Sequence, residues 1–263
     1  MNKYALGTII GTTLLGLFKA KRGGRNYYKP DNIEDIYQLS AQEKAQITEL
    51  NLRNMRLTHL PDDIFDGFTN LEELYLRYNQ LTELPQSLGN LTNLRWLELY
   101  KNELTELPEW IGNLTNLEHL NLGDNQLTEL PESIGNLTNL EELDLGDNEL
   151  KEFPEWIGNL TNLVYLGFYI NKLTELPESF GNLTNLEILW LNDNGLTELP
   201  ESFGDFANLE RLLLDDNPWQ KPVPKETILK MIRNGVSKDV IEKIIDINNS
   251  IPSISTKSNL RIR

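Results

Sequence analysis

The sequence predicts an α/β solenoid: a curved parallel β-sheet on the concave face, a mostly irregular or 3-10 convex side, and helical caps. Three observations carry the prediction. A line of 23 residues recurs almost unchanged, as "LTELPEWIGNLTNLEHLNLGDNQ" at 104–126, "LTELPESIGNLTNLEELDLGDNE" at 127–149 and "LTELPESFGNLTNLEILWLNDNG" at 173–195. Leucines alternate over a short stretch of every line, as strand residues with one buried face must. An asparagine returns at 79, 102, 125, 148, 171, 194 and 217, always 23 residues on. An earlier copy at 47–70 is one residue longer and carries Met55 in the asparagine slot, giving eight copies over 47–220 with the last cut short after Asn217.

Residues 1–30 read as an apolar segment plus a basic linker. The uncharged run of 15 at 4–18, "YALGTIIGTTLLGLF", would span ~22 Å as a helix against a hydrocarbon core of ~30 Å. Three readings stay open: a short membrane anchor, a secretory signal peptide, or an apolar helix lying on the first coil. The "KAKRGGR" at 19–25 offers no small-x-small cleavage site. If the run is an anchor, these charges place its C-terminal side in the cytoplasm, where they can also meet anionic lipid. Gly7 and Gly11 form a Gly-x-x-x-Gly that can bring anchors together.

Residues 31–46 read as the N-terminal cap. Ser40 and Glu43 make a capping-box pair, so a short helix is expected over the first coil. In each repeat the x-L-x-L-x segment is a strand, and the leucine columns of stacked copies merge into a core that no single copy builds. The Asn column suits a buried turn whose amide bonds backbone groups of neighbouring coils. Gly89, Gly112, Gly135, Gly158, Gly181 and Gly204 mark a second turn, and the Pro of Thr-x-Leu-Pro argues against a long helix on the return side. After "NPW" (217–219), apolar residues at helical spacing predict helices over about 224–234 and 237–247. These form a C-terminal cap over 221–247, with a small partner-binding helix pair as the alternative. Residues 248–263 read as a flexible basic tail.

The spacing L-x-x-L-x-L-x-x-N-x-L followed by T-x-L-P, seen at Leu94, Leu97, Leu99, Asn102, Leu104, Leu107 and Pro108, resembles the leucine-rich repeat family over roughly 47–220. Within it, "LTELPESIG" is similar to the type shared by intracellular Ras-binding scaffolds and many bacterial and protist relatives. The resemblance implies a protein-binding scaffold and, by family analogy alone, a small GTPase as one partner.

Composition bounds the function. The formal charge is −16, but residues 1–30 hold six Lys/Arg and 248–263 hold three, with no Asp or Glu in either. The body at 31–247 is left with 15 basic and 40 acidic residues, and such a body repels nucleic-acid backbones. With no cysteine, disulfides, thiol nucleophiles and Cys-ligated zinc are excluded. A cytoplasmic place, or a tether to the cytoplasmic face of a membrane, is favoured, with secretion as the alternative. His59 and His119 are the two histidines, and neither stands beside a nucleophile or a phosphate-binding glycine loop. We therefore expect no enzyme, cofactor or metal. The Asn-Leu-Thr at 90, 113, 136, 159 and 182 matches a glycosylation acceptor, but the repeat generates it automatically. The stacked glutamates of the convex side read as a solvated face, and Trp110 and Trp156 there as a second contact patch.

Function is expected where copies differ. The residues between strand leucines face the concavity, in columns beginning Glu49, Asn51 and Arg53. Tyr75, Arg77, Trp96 and Tyr100 form one zone; His119 and Asp144, with other acidic residues, form the centre; Tyr165, Tyr169, Ile188 and Trp190 form a third. Tyr, Trp and Arg dominate binding hot spots. The pattern predicts a protein partner with a basic protrusion, gripped between two aromatic clusters. A secreted or surface adhesion module for host protein or glycan, and a regulatory subunit of a signalling enzyme, remain the alternatives.

Overall fold

The computed structural model describes residues 20–22 and 25–251; the apolar run at 4–18 and most of the basic tail lie outside the described residues. One ten-stranded sheet follows chain order. Its repeat strands are three residues each: β3 (Glu49–Asn51), β4 (Glu73–Tyr75), β5 (Trp96–Glu98), β6 (His119–Asn121), β7 (Glu142–Asp144), β8 (Tyr165–Gly167), β9 (Ile188–Trp190) and β10 (Arg211–Leu213). All pair in parallel, and the register aligns Glu49, Glu73, Trp96, His119, Glu142, Tyr165, Ile188 and Arg211 in one row. The expected concave columns are therefore real rows.

Two strands precede the repeats. β1 (Ala20–Arg22) pairs antiparallel with β2 (Arg25–Tyr28), and β2 pairs in parallel with β3. The stretch read as a linker thus contains an antiparallel strand pair that covers the first edge of the parallel sheet. An uncovered edge is a template for unwanted pairing, and an antiparallel strand pair ends the parallel stack. Next come a 3-10 turn at Ile33–Gln38, whose Ile36 is fully buried, and α1 (Ala41–Lys44). The Ser40–Glu43 capping box forms as expected: Glu43 N donates to Ser40 Oγ at 3.3 Å, and Ser40 N donates to Glu43 Oε2 at 2.8 Å.

The asparagine column holds the coils together. Asn148 is buried; its Oδ1 accepts from Leu127 N at 3.0 Å, while Nδ2 donates to Leu122 O and Leu145 O, both at 3.1 Å. Asn79, Asn102, Asn125, Asn171, Asn194 and Asn217 repeat the arrangement. Each amide thus bonds the strand end of its own coil and the backbone of the coil before. Met55 lacks this chemistry and packs half-buried against the core, while its N–H is taken by Asn79 Oδ1 at 3.0 Å. A second ladder runs along exposed positions: Asn93, Asn116, Asn139, Asn162, Asn185 and Asn208 each donate to a threonine carbonyl one coil back, at 2.8–2.9 Å.

The convex side is a row of five-residue 3-10 helices, each following a proline: Gln86–Asn90, Glu109–Asn113, Glu132–Asn136, Glu155–Asn159, Glu178–Asn182 and Glu201–Asp205. The glycine column lies inside these helices rather than at a separate turn. Its reason is close approach, since a Cβ on Gly112 would come within 2.5 Å of the Ser133 carbonyl oxygen of the next coil. Trp110 and Trp156 are half-buried and pack on the core, with the Trp110 ring seated against Gly89. They lock neighbouring coils together instead of offering an exposed patch. Phe153, Phe168, Phe180, Phe203 and Phe206 widen the core of the later coils.

At the C-terminal end α2 (Lys225–Asn234) stops at Gly235 in the left-handed region (φ 89°), and α3 (Lys238–Ser250) follows Ser237, which caps it. Met231, Val240, Ile241 and Ile244 are buried by this pair, which closes the last coil. α3 runs past the expected end at 247 because Asn248 clasps Val223: Val223 N donates to its Oδ1 at 2.7 Å, and its Nδ2 donates to Val223 O at 3.0 Å. Among the described residues no helix is long and apolar enough to cross a membrane.

Replacing Asn148 with alanine strands buried backbone groups in two coils, and urea unfolding should register a loss of about 2–4 kcal/mol. Asn139→Ala removes one exposed bond and should cost about 1 kcal/mol. Equal losses at the two sites would contradict the distinction between the ladders.

Candidate functional site

The strands place their outward side chains on the concave face, and the glycines of that face decide how those side chains lie. A Cβ on Gly146 would overlap the Tyr169 ring, and one on Gly123 would meet Tyr100 Cδ2 at 3.3 Å. The two tyrosines therefore lean over glycine floors. Tyr165 lies along its own strand over Gly167 and donates from its hydroxyl to Asp144 Oδ2 at 3.2 Å. The candidate aromatics, read from sequence as solvent-facing, are half-buried against one another. Trp96 stacks on His119 with centroids 3.8 Å apart, and Trp190 meets Tyr165 and Tyr169 edge-on at 5.2 and 5.8 Å.

This packing brings members of all three expected zones together at the centre. A cavity of about 270 Å³ is lined by Trp96, Glu98, His119, Leu120, Asn121, Glu142, Asp144, Tyr165 and Trp190. Five sequence candidates meet there: Trp96, His119, Asp144, Tyr165 and Trp190. The other five stand outside it. Tyr75 donates to Glu73 Oε2 at 2.7 Å, and Arg77 lies 3.9 Å from Glu98 Oε2. Tyr100 packs edge-on against Tyr78, Tyr169 covers Gly146, and Ile188 is half-buried between Tyr165 and Arg211 in the first row.

Glu98 is the residue sequence reasoning passed over. It is 8% exposed and accepts from Trp96 Nε1 at 3.0 Å. A lone glutamate among the aromatic outward positions of its coil is the signal that would have found it. Asp144 accepts from Gly146 N at 2.9 Å. Burial pushes its carboxyl above the usual carboxylate range, against the pull of its bonds from Gly146 and Tyr165, and nearby Glu98 adds to the upward push. Burial likewise raises the Tyr169 phenol to about 12, with Asp144 the next cause. His119 Nδ1 and Glu142 Oε2 lie 3.0 Å apart without aligning into a hydrogen bond. Among the described residues no three His, Cys, Asp or Glu side chains are placed to hold a metal ion.

Beside the cavity, the residue before each column asparagine turns the chain in the left-handed region, with φ of 50–59° at Asn54, Tyr78, Lys101, Asp124, Asp147, Ile170, Asp193 and Asp216. Asn and Asp suit that region, whereas a bulky or β-branched residue is strained there. Tyr78, Lys101 and Ile170 depart from Asn and Asp; of these Tyr78 carries the bulky ring and Ile170 the β-branched side chain, and both are exposed, at 47% and 46%. Tyr78 offsets part of that strain by edge-on packing against Tyr100, with the Arg77 guanidinium over its ring.

Three leucine-rich repeat models match the chain, at 45–104, at 92–137 and 115–159, and at 155–234. Together they cover most of its length, and the chain belongs to the leucine-rich repeat family. Its structure is similar to the ectodomain of the Arabidopsis thaliana receptor kinase GASSHO1/SCHENGEN3, solved with CASPARIAN STRIP INTEGRITY FACTOR 2, at 36% identity over 73% of this chain and 24% of that one, with a TM-score of 0.64. A Leptospira interrogans leucine-rich repeat protein matches at 30% identity over 79% of this chain and 63% of that one, TM-score 0.54. Internalin C2 of Listeria monocytogenes matches at 26% identity over 73% and 80%, TM-score 0.65. The chain thus spans about a quarter of the plant ectodomain's length and under two thirds of the Leptospira protein's. No curated protein matches it.

The Asp144 carboxyl is raised in the fold, so its neutral form is the stabilised one. That stability is present below the ordinary Asp range and is lost as pH rises through the raised folded value. Asp144→Asn keeps the acceptor for Gly146 N and removes the charge. Thermal unfolding should find the variant more stable than the parent at pH 7, with the difference gone at about pH 3. A variant less stable at pH 7 would mean that the ionised carboxylate is held favourably.

Proposed function

We propose that the protein is a non-enzymatic interaction scaffold that holds a protein partner on its concave face. The observation that carries this reading is the outward placement of strained or charge-disfavoured side chains on the concave side. Tyr78 and Ile170 accept left-handed strain while exposed, and Asp144 is kept ionisable in a site that disfavours its charge. Strain and misplaced charge collect where function requires them. The rings between them are fixed by mutual packing, so little conformational freedom is left to lose on binding. The plant ectodomain was solved with a partner bound, which agrees with the reading.

The partner we infer carries a basic protrusion, because Glu98, Glu142 and Asp144 all line the central cavity. Nothing in the geometry singles out a small GTPase among basic-surfaced proteins. Whether the protein works inside the cell or as a surface adhesion module is decided by the fate of residues 1–25. Retention in a cytoplasm-facing membrane fraction supports the internal scaffold, and cleavage with export supports adhesion.

Partner capture by the full chain should be lost when Trp96, Tyr165 and Trp190 are together replaced by alanine, with circular dichroism confirming that the solenoid is intact. Each fully desolvated aromatic anchor contributes about 2 kcal/mol or more, so loss of all three exceeds a hundredfold in affinity, roughly. Undiminished capture would remove the concave face from recognition.

A further inference from the structure

We propose that the central concave cavity is a receptor for one cationic side chain, a guanidinium or ammonium group presented by the partner. The inference rests on the concave-face reading and gives its contact a chemistry.

Three features of the cavity point to a cation. The first is charge. Glu98, Glu142 and Asp144 line it. Against them stand the Arg77 guanidinium, 3.9 Å from Glu98 Oε2, and the His119 imidazole beside Glu142. Three carboxylates against one guanidinium, 3.9 Å from Glu98, leave a negative potential in a hollow with low-dielectric walls, where field lines concentrate. Glu98 is buried, and its Oε1 is occupied by the Trp96 indole N–H at 3.0 Å. That bond fixes the carboxylate and leaves Oε2 as an acceptor.

The second feature is the walls. Trp96 closes one side with His119 stacked on one of its faces; Tyr165 and Trp190 close the other, set edge to face and open to the gap. Electron-rich ring faces attract cations, tryptophan most strongly, and the attraction grows when water is excluded. Neither wall belongs to an adjacent strand pair: Trp96 is on β5 and Tyr165 on β8, so the gap between them spans β6 and β7, whose His119, Asn121, Glu142 and Asp144 form the floor.

The third feature is size. At about 270 Å³ the cavity falls just short of the range of drug-sized ligand sites, about 300–1,000 Å³, and admits one long side chain rather than a helix or a cofactor. A larger hollow of about 470 Å³ lies along the exposed asparagine ladder, but there Arg95 and Glu118 already pair with each other at 2.6 Å. In the central cavity Arg77 reaches only Glu98, at 3.9 Å, and no lysine or arginine is among its lining residues. A guanidinium matches it well, because its plane can lie on a ring while its edge donates to carboxylates.

The test needs no knowledge of the partner. The full chain is titrated with Nα-acetyl-arginine amide, Nα-acetyl-lysine amide and the neutral isostere Nα-acetyl-citrulline amide, following the indole N–H resonances of Trp96 and Trp190 by NMR. The cationic amides should shift both resonances saturably, with a Kd on the order of 1 mM for so small a probe, and citrulline should not. Glu142 is an exposed side chain, so Glu142→Gln leaves the fold intact and should weaken the cationic amides several-fold, roughly. Trp190→Ala should abolish the shift at Trp96. Equal shifts from citrulline, or shifts unchanged in both variants, would overturn the assignment. The two readings fail separately. If the triple-alanine variant loses its partner while no cationic amide binds, the cavity assignment falls and the concave reading stands. If the amides bind while capture survives the triple variant, the concave reading falls and with it the assignment of the cavity to the partner, although the cavity still binds cations.

Discussion

The carboxamide of the column asparagine is the interaction on which everything else depends. This short carboxamide can both accept from a backbone N–H and donate to two carbonyls within a buried turn. In Asn79, Asn102, Asn125, Asn148 and Asn194 it is nearly sealed from water, where an unmet backbone group is costly. Each amide ties its own coil to the one before, so the spacing between coils is set by hydrogen bonds and only then filled by leucines. Parallel strands three residues long could not hold register by their own ladder bonds. The asparagine does that for them, which is why the concave rows run straight from Glu49 to Arg211.

A frame fixed in this way frees the concave face from structural duty. The rows tolerate glycine, aspartate, tryptophan or arginine without change in the coil beneath. The molecule uses that tolerance unevenly. Near the middle it removes side chains at Gly123, Gly146 and Gly167, and tyrosines lean into the space from Tyr100, Tyr169 and Tyr165. The rings are thereby drawn down from solvent, and the hollow between Trp96 and Trp190 acquires walls. The Asp144 carboxyl then sits in surroundings that penalise its charge. An amide here would keep the bond from Gly146 N without the charge, so a charge brought by a ligand is the natural compensation.

Much of this was legible in the sequence because a repeat reports the same environment eight times. Alternating leucines gave the strands, the Thr-x-Leu-Pro gave short convex helices, and Ser40 with Glu43 gave the capping turn. The misses share a cause: they depend on contacts between coils that the period does not encode. The strand pair at 20–22 and 25–28 has no alternating pattern, and its strands exist because an open sheet edge lies beside them. Trp110 and Trp156 looked like an outer patch, yet the glycine of the preceding coil opens a slot that takes each ring inward. The second asparagine ladder was visible as a column, but the neighbouring Asn-Leu-Thr drew attention to the wrong asparagine. The concave rows were assigned correctly, whereas the lean of each ring across one to three coils, which makes the cavity, is a property of packing alone. Tyr78 and Ile170 become conspicuous only once the left-handed corner is known.

The central claim is that the site is built before any partner arrives, because an asparagine-bonded frame holds its rings in place. Order parameters of the Trp96 and Trp190 indole N–H vectors in the free, full-length protein test it most directly. The account predicts values near those of rigid backbone, about 0.85. Values below about 0.6 would mean that the walls form only on binding, and would contradict it.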